Sequence, residues 1–298
     1  MADQIEVPTP DGRILEALTE GDPEGFPVVF HLGTPVGAVP FPLLDRAARN
    51  AHLKVITYSR PGYGGSTPWP FSERGPRVAD DVVDVLALLH HLGVDEFLTL
   101  GWSGGGPRAI ACAAILPGRC RAAATMSGVA PYDAEGLDWF DGMGQENIDE
   151  FAAAGQGATT YHHYLRQLPA PDGERARPED LVANLGSLLT PVDAAFLTGE
   201  FAEYVDAFGR KAHEQGVVGW RDDGLALVRD WGFDLAAVTV PVSVWQGRED
   251  AMVPPSHGDW LAMHVPTARP HLLEGVGHLS LCARFDDVLT DLKDLAGV

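Results

Sequence analysis

The stretch that decides the fold of this chain is Leu98-Thr99-Leu100-Gly101-Trp102-Ser103-Gly104-Gly105-Gly106-Pro107. The apolar run Phe97 to Leu100 predicts a short buried strand, and Pro107 to Leu116 predicts a helix that tolerates proline in its first turn. Between them, residues 101–105 match the pattern G-x-S-x-G. A serine on so sharp a turn needs a strained backbone, and glycines two positions before and after it leave the necessary room.

The hydroxyl of Ser103 is therefore expected to stand clear of the sheet edge, at the N-terminus of the following helix. An anionic intermediate can be held at such a place. The same residues are also typical of a glycine-rich strand-to-helix turn with a packing role alone, or of a dinucleotide-binding turn. The dinucleotide pattern G-x-G-x-x-G needs glycine at its third place, where this chain has Ser103.

Composition bounds the class of protein. The chain has 298 residues, of which 45% are hydrophobic and 21% charged, which is typical of a globular protein with one or two domains. It carries 42 acidic and 21 basic residues, a net charge of −21. Such a surface repels nucleic acid and anionic membranes. We therefore expect no nucleic-acid partner and no membrane insertion. We also expect a small-molecule substrate and a monomer or homodimer.

The cysteines and the chain start bear on the compartment. Cys112, Cys120 and Cys282 are too few for a disulfide framework. No uncharged apolar run approaches the ~20 residues of a membrane-spanning helix. The N-terminus has no basic region followed by an apolar one, as a signal peptide would. These features predict a cytoplasmic location.

One histidine cluster raises the question of a metal. The segment Tyr161-His162-His163-Tyr164 contains adjacent histidines, which point to different faces of a helix. No Cys or Glu joins them at ligand spacing. A helix pair of the insertion described below explains the cluster better. We expect no metal and no cofactor.

Strands alternate with helices in the first half of the chain. Ile5 to Glu20 predicts a hairpin around Pro10-Asp11-Gly12. The segments that follow predict a strand at 28–32, a helix at 41–50, a strand at 55–58 and an amphipathic helix at 80–92. A further strand is predicted at 122–126, after the serine turn. This alternation predicts a mainly parallel sheet with helices on both faces.

The alternation is interrupted in the middle of the chain. From about 134 to 235 there is no strand of comparable quality, only helices rich in Ala, Leu and aromatic residues. Strand Val240 to Trp245 resumes the pattern, followed by a helix at 257–264, a strand at 269–273 and a closing helix at 285–295. We therefore predict one catalytic core, residues 1–133 and 236–298, with a helical cap insertion at 134–235.

A nucleophilic serine needs a base to take its proton and an acid to orient that base. Asp250 follows one returning strand and His278 follows the last, so both fall at the edge of the sheet where Ser103 lies. The order Ser103, Asp250, His278 is that of the α/β-hydrolases. Alternatives for the acid are the adjacent Glu249 and Asp133, which comes soon after an earlier strand. Two other histidines nearby, His257 and His271, lack the loop setting of His278.

On these motifs the chain resembles α/β-hydrolase-fold serine hydrolases of the lidded kind that includes esterases and peptidases. The resemblance covers nearly the whole chain outside the insertion. It implies an α/β-hydrolase fold, in which Ser103 is the nucleophile and His278 the general base and acid. Asp250 would then fix the imidazole.

The resemblance also implies an oxyanion hole. One donor is the backbone N–H of Gly104, directly after the nucleophile. The other comes from the loop after the first central parallel strand, where relatives often carry His-Gly-x-Pro. This chain has Leu32-Gly33-Thr34-Pro35, so we expect Thr34 N–H as the second donor. His31, one place earlier than the usual histidine, either serves a shifted role or is simply a strand residue.

The aromatic and aliphatic residues near the nucleophile and in the insertion suggest a mostly apolar pocket. We expect Trp102, Trp139, Phe140 and Met143 to line it, although ordinary packing would explain each equally well. The favoured reaction is hydrolysis of a carboxylic ester of a small substrate through an acyl-enzyme.

Other functions remain open. A proline-iminopeptidase-like aminopeptidase would bind an α-amino group through acids such as Glu200 and Glu203, but such relatives carry Gly-Gly-Ser-Trp-Gly and His-Gly-Gly-Pro-Gly motifs from which this chain departs. A carbon–carbon bond hydrolase uses the same triad. A non-catalytic ligand receptor on this fold would bind without turnover.

Overall fold

The computed structural model describes residues 3–169 and 176–298. Residues 1–2 and 170–175, the latter in the predicted insertion, lie outside the described part. The strands are β1 Asp3–Pro8, β2 Ile14–Gly21, β3 Phe26–His31, β4 Leu53–Tyr58, β5 Phe97–Trp102, β6 Cys120–Met126, β7 Val242–Gly247 and β8 Ala268–Leu273. The helices are α1 Pro42–Asn50, α2 Val82–His91, α3 Gly106–Ile115, α4 Gln145–Ala154, α5 Ala158–Leu165, α6 Pro178–Leu185, α7 Pro191–Phe196, α8 Gly199–Ala212, α9 Val218–Leu227, α10 Pro255–His264 and α11 Phe285–Ala296.

The strands form one eight-stranded sheet in the order β1-β2-β4-β3-β5-β6-β7-β8. The opening hairpin β1–β2 is antiparallel, and so is the pairing of β2 with β4. From β4 onward all neighbours are parallel. The predicted fold class, a mostly parallel sheet that begins with a hairpin, is confirmed.

Helices cover both faces of the sheet. On one face, α1 and α11 pack through residues such as Leu44 and Leu289 against the strands. On the other face, α2, α3 and α10 contribute residues such as Leu88, Ile110 and Leu261. Every residue of β5 and of β7 is buried, as expected for strands covered on both sides.

The segment between β6 and β7 is a cap-like insertion. Within its described residues the regular elements are helical, from α4 to α9. The absence of strands predicted for this segment is thus confirmed for the described residues, while the boundaries at 134 and 235 stay a prediction. No helix in the described part of the chain is long and apolar enough to cross a bilayer.

The parallel arrangement brings four loops together. The strands β3, β5, β7 and β8 run in the same direction, so the loops that follow them leave the same edge of the sheet. These loops carry Thr34, Ser103, Asp250 and His278 respectively.

Candidate active site

Ser103 lies on the turn between β5 and α3. Its φ is +56°, in the left-handed region that residues with a side chain seldom adopt. A Cβ at Gly101 would overlap the carbonyl oxygen of Gly105, and a Cβ at Gly105 would overlap the carbonyl oxygen of His31. The flanking glycines are therefore required by close backbone approaches, which hold Ser103 in a conformation that costs roughly 1–3 kcal/mol.

Asp250 and His278 are joined directly. His278 Nδ1 and Asp250 Oδ2 are 2.9 Å apart, and both residues are buried. The other carboxylate oxygen, Oδ1, accepts the backbone N–H groups of Met252 at 2.9 Å and Val253 at 2.8 Å. Gln246 Nε2 donates to Oδ2 at 3.2 Å. This carboxylate is thus fixed by its own loop and aimed at the imidazole.

The pKa of His278 reflects opposing effects. Burial alone would lower the pKa, because it disfavours the charged ring. The charge of the Asp250 carboxylate and its hydrogen bond to the ring outweigh the effect of burial, so the pKa of His278 is raised above its ordinary value. The imidazole is therefore a better proton acceptor than an isolated histidine.

The alternative acids and histidines lie elsewhere. Asp133 is exposed on the loop after β6. His257 is buried between the backbone N–H of Ala130 and the carbonyl of Trp139, and burial lowers its pKa to about 4. His271 stacks on Trp245 at the far strand. None of these residues is among the described residues that line the cavity with Ser103.

Ser103 and His278 line one cavity, of about 1040 Å³. Within the described residues the Ser103 hydroxyl makes no hydrogen bond, to His278 or to another group. Such catalytic hydrogen bonds are often long until a substrate is bound. Trp102 also lines this cavity, as expected, with its ring 5.6 Å from that of His278.

The other three residues expected in the pocket lie outside it. Trp139, Phe140 and Met143 belong to a separate hydrophobic cluster largely within the insertion, where Trp139 packs edge-on against Phe140 and Phe151. The indole N–H of Trp139 donates to the carbonyl of Ala130 at 2.9 Å. These three residues are not among the described residues that line the cavity, and the indole of Trp139 instead anchors the chain that leaves β6.

The two expected oxyanion donors lie on adjoining loops. A Cβ at Gly104 would come within 3.1 Å of Thr34 Cβ, so the two segments are in contact. The backbone N–H of Thr34 has no hydrogen-bond partner in the described part of the chain. His31 is buried in β3, where Nε2 lies 3.1 Å from Thr99 Oγ1, and burial holds its pKa well below the ordinary value. It therefore behaves as a strand residue.

Two buried arginines hold these loops. Arg60 donates to the carbonyl oxygens of Leu32 at 2.5 Å and Gly33 at 2.7 Å, just before Thr34. Arg108 donates to the carbonyl oxygen of Gly104 at 2.5 Å, just after Ser103. Each arginine thus fixes the backbone beside one expected oxyanion donor.

One carboxylate of the insertion joins the two arginines. Asp223, on α9, accepts from Arg60 Nε at 2.9 Å and from Arg108 at 2.9 Å. It also accepts the Thr34 hydroxyl at 2.8 Å. Burial would raise the pKa of Asp223, but the two guanidinium groups outweigh it and the pKa is lowered. Asp223 is therefore ionised and pairs with both cations.

A second insertion carboxylate holds the His278 loop. Asp193, fully buried on α7, accepts the backbone N–H groups of His278, Leu279 and Ser280 at 2.8–3.0 Å. Sequence reasoning missed Asp193, Asp223 and both arginines. Asp193 lies 85 positions from His278, and Asp223 lies 115 and 163 positions from the two arginines, so no local motif marks these contacts.

Comparisons with known proteins agree with this fold. A family model described as alpha/beta hydrolase fold matches residues 27–282. A non-heme chloroperoxidase of Streptomyces lividans is 28% identical over 249 residues, which are 83% of each chain.

Solved structures show the same fold. The bromoperoxidase of Bacillus anthracis matches with a TM-score of 0.71 and 20% identity, over 98% of this chain and 100% of that one. An esterase of Rhodococcus sp. ECU1013 matches with a TM-score of 0.66 and 19% identity, over 99% of this chain and 98% of the other.

Proposed function

The chain belongs to the α/β-hydrolase fold family, and we propose that it is a serine hydrolase that cleaves a carboxylic ester of a small, mostly apolar substrate. The observation that carries the proposal is the buried pair His278–Asp250 on the cavity that Ser103 also lines. Its nucleophile, base and orienting acid would be Ser103, His278 and Asp250.

The reaction has two steps. Ser103 Oγ attacks the ester carbonyl while His278 Nε2, the ring nitrogen that Asp250 leaves unoccupied, takes its proton. The backbone N–H groups of Thr34 and Gly104 hold the oxyanion, and His278 returns the proton to the leaving alcohol. Water then attacks the acyl-enzyme in the same way and regenerates Ser103.

The proposal includes the division of the chain. Residues 1–133 and 236–298 form the catalytic core, and 134–235 form the cap. This division is supported by the helical insertion between β6 and β7. Two cap carboxylates, Asp193 and Asp223, reach into the core, so we expect the cap to be part of the working site.

A second candidate function is transfer of the acyl group to hydrogen peroxide in place of water. The similarity to a chloroperoxidase favours it. In this reaction peroxide attacks the acyl-enzyme carbonyl, the serine leaves with a proton from His278, and a peroxyacid is released. The aminopeptidase reading is weakened, because Glu200 pairs with Arg46 at the surface and neither Glu200 nor Glu203 is among the described cavity residues.

The test is labelling with a fluorophosphonate probe, followed by turnover of p-nitrophenyl esters of short and long acyl chains, prolyl amides, and acetate with hydrogen peroxide. We expect labelling of the wild type and none of Ser103→Ala, with esters turned over fastest. Preferred formation of peracetate would favour the second candidate. Folded wild-type protein that is neither labelled nor active would overturn the proposal and favour a receptor.

A further inference from the structure

A buried carboxylate of the insertion faces the same cavity. Glu150 lies on α4 and is 8% exposed, and it lines the cavity with Ser103. Its Oε1 accepts the hydroxyl of Tyr161 and the indole N–H of Trp220, each at 2.6 Å. Both donors are rigid aromatic side chains, so the carboxyl group is held in one orientation.

The second oxygen of this carboxylate has no hydrogen-bond partner among the described residues. In the part of the chain that the structure describes, no hydrogen bond reaches Glu150 Oε2 and no cation pairs with the side chain. Burial raises the pKa of Glu150, and the hydrogen bonds from Tyr161 and Trp220 offset only part of this rise, so the pKa is about 7. A buried carboxylate is costly unless a cation or a donor compensates it. A ligand in the cavity could supply that group.

The surroundings favour a cation over an anion. Glu146 and Asp149 lie on the same helix as Glu150 and line the same cavity. Glu146 accepts a hydrogen bond from the hydroxyl of Ser187. The basic residues Arg177, His213 and His278 also line the cavity, and Arg177 is paired with Asp180. The elements packed against α4 bring the following titratable groups: Tyr161, His162, His163 and Tyr164 on α5, and Arg221, Asp222 and Asp223 on α9. Arg221 is paired with Asp222, and Asp223 with two arginines, so no free cation of α9 compensates Glu150.

We propose that Glu150 binds a protonated amine carried by the substrate, away from the scissile carbonyl. The proposal rests on the proposed function, because it assigns the substrate class of the same site: an ester whose apolar chain ends in a basic nitrogen. The ammonium donates to Oε2, while Tyr161 and Trp220 keep Oε1 in place. A neutral hydroxyl could also donate to Oε2, but without the gain from pairing opposite charges.

The test uses three probes that differ in one terminal group: the methyl esters of hexanoate, ω-hydroxyhexanoate and ω-aminohexanoate. Glu150→Gln keeps a carbonyl oxygen for Tyr161 and Trp220 but removes the charge. Ester hydrolysis is measured through the proton that it releases. For the wild type, we expect kcat/KM to be about 10–100-fold higher for the amino ester than for the plain ester. E150Q should lose most of this preference. Glu135→Gln, the same exchange at an exposed residue that is not among the described residues lining the cavity, serves as the matched control and should keep the preference.

The pH dependence adds a second readout. The preference of the wild type should grow between about pH 6 and pH 8 as Glu150 ionises, because the amine stays protonated over this range. It should stay flat in E150Q. Should E150Q fail to fold, Trp220→Phe removes one donor to Oε1 and should move the midpoint of this rise to higher pH.

Binding separates this proposal from the catalytic one. Calorimetric titration of Ser103→Ala with the same esters needs no turnover. Tighter binding of the amino ester, lost in the double variant Ser103→Ala/Glu150→Gln, would support the subsite even if no ester is hydrolysed. An amino-ester preference equal in wild type and E150Q, or a preference for the hydroxy ester alone, would overturn it.

Discussion

The carboxylate of Asp193, in the helical insertion, accepts the backbone N–H of His278 at 2.8 Å. A Cβ at Gly277 would lie 2.5–2.6 Å from the same carboxylate, so only glycine allows the loop to come this close. The negative charge of Asp193 also helps to raise the pKa of His278. The insertion thus contributes to the position and to the charge state of the proposed base.

Replacement of Asp193 by Asn should therefore affect catalysis in two ways. We expect kcat to fall by about 10²-fold, because a base displaced by about 1 Å loses that much rate. The acid limb of the pH–kcat/KM profile should move to lower pH, because a charge that raises the His278 pKa is gone. Asp95→Asn, an exposed change of the same kind, should do neither. An unmoved acid limb would mean that Asp193 acts on stability alone.

Loss of the Asp250 charge should act more strongly on the same profile. Catalysis needs the neutral imidazole, so the raised pKa of His278 sets the wild-type acid limb above about pH 6.5. In Asp250→Asn, burial is no longer opposed by this carboxylate and the limb should fall below that value, while kcat drops by about 10³–10⁴-fold. The matched variant Asp133→Asn should keep the wild-type profile. The reverse result would assign the orienting role to Asp133.

The Thr34 hydroxyl connects the expected oxyanion loop to the insertion, donating to Asp223 and accepting from Arg60 at 3.2 Å. Thr34→Val keeps the shape of the side chain but breaks both bonds. We expect kcat to fall by about tenfold or more with little change in KM, because the Thr34 N–H loses its alignment with the oxyanion. Thr34→Ser keeps the hydroxyl and should retain most of the rate. Equal kcat in the two variants would contradict this role for the hydroxyl.

Glu20 offers a test of stability that is independent of the site. Burial raises its pKa to about 7, although the backbone N–H of Phe41 bonds to Oε1. The pKa of this carboxyl group is higher in the folded than in the unfolded state, so the folded state is disfavoured when the group ionises. The contribution of Glu20 to the free energy of unfolding therefore falls as pH rises from about 4.5 to 7. Near pH 5, Glu20→Gln and the wild type should have similar free energies of unfolding. Near pH 8, the free energy of unfolding of Glu20→Gln should be about 2–3 kcal/mol higher than that of the wild type. Denaturant unfolding at both pH values checks this, and equal stabilities at pH 8 would contradict it.

Much of the fold followed from local sequence. The strands near 55–58, 97–100, 122–126 and 269–273 and the helices at 41–50 and 257–264 are found within a few residues of their predicted limits. Their signals are short apolar runs and helical periodicity, which depend on neighbours in the chain. The expected pocket residues Trp139, Phe140 and Met143 pack in a hydrophobic cluster, because an apolar side chain has the same sequence pattern whether it lines a cavity or fills a core.

The sequence by itself determined the serine turn and the edge of the sheet at which the proposed site lies. Glycine spacing and strand alternation are local properties, and parallel strands send all their following loops to one edge. Only the tertiary structure decided which charges meet there. Asp193 reaches His278 across 85 positions, Asp223 reaches Arg60 across 163, and Glu150 faces the cavity from the insertion. The contacts of Asp193 and Asp223 form because a buried charge must find a partner in space, a requirement that leaves no periodicity along the chain.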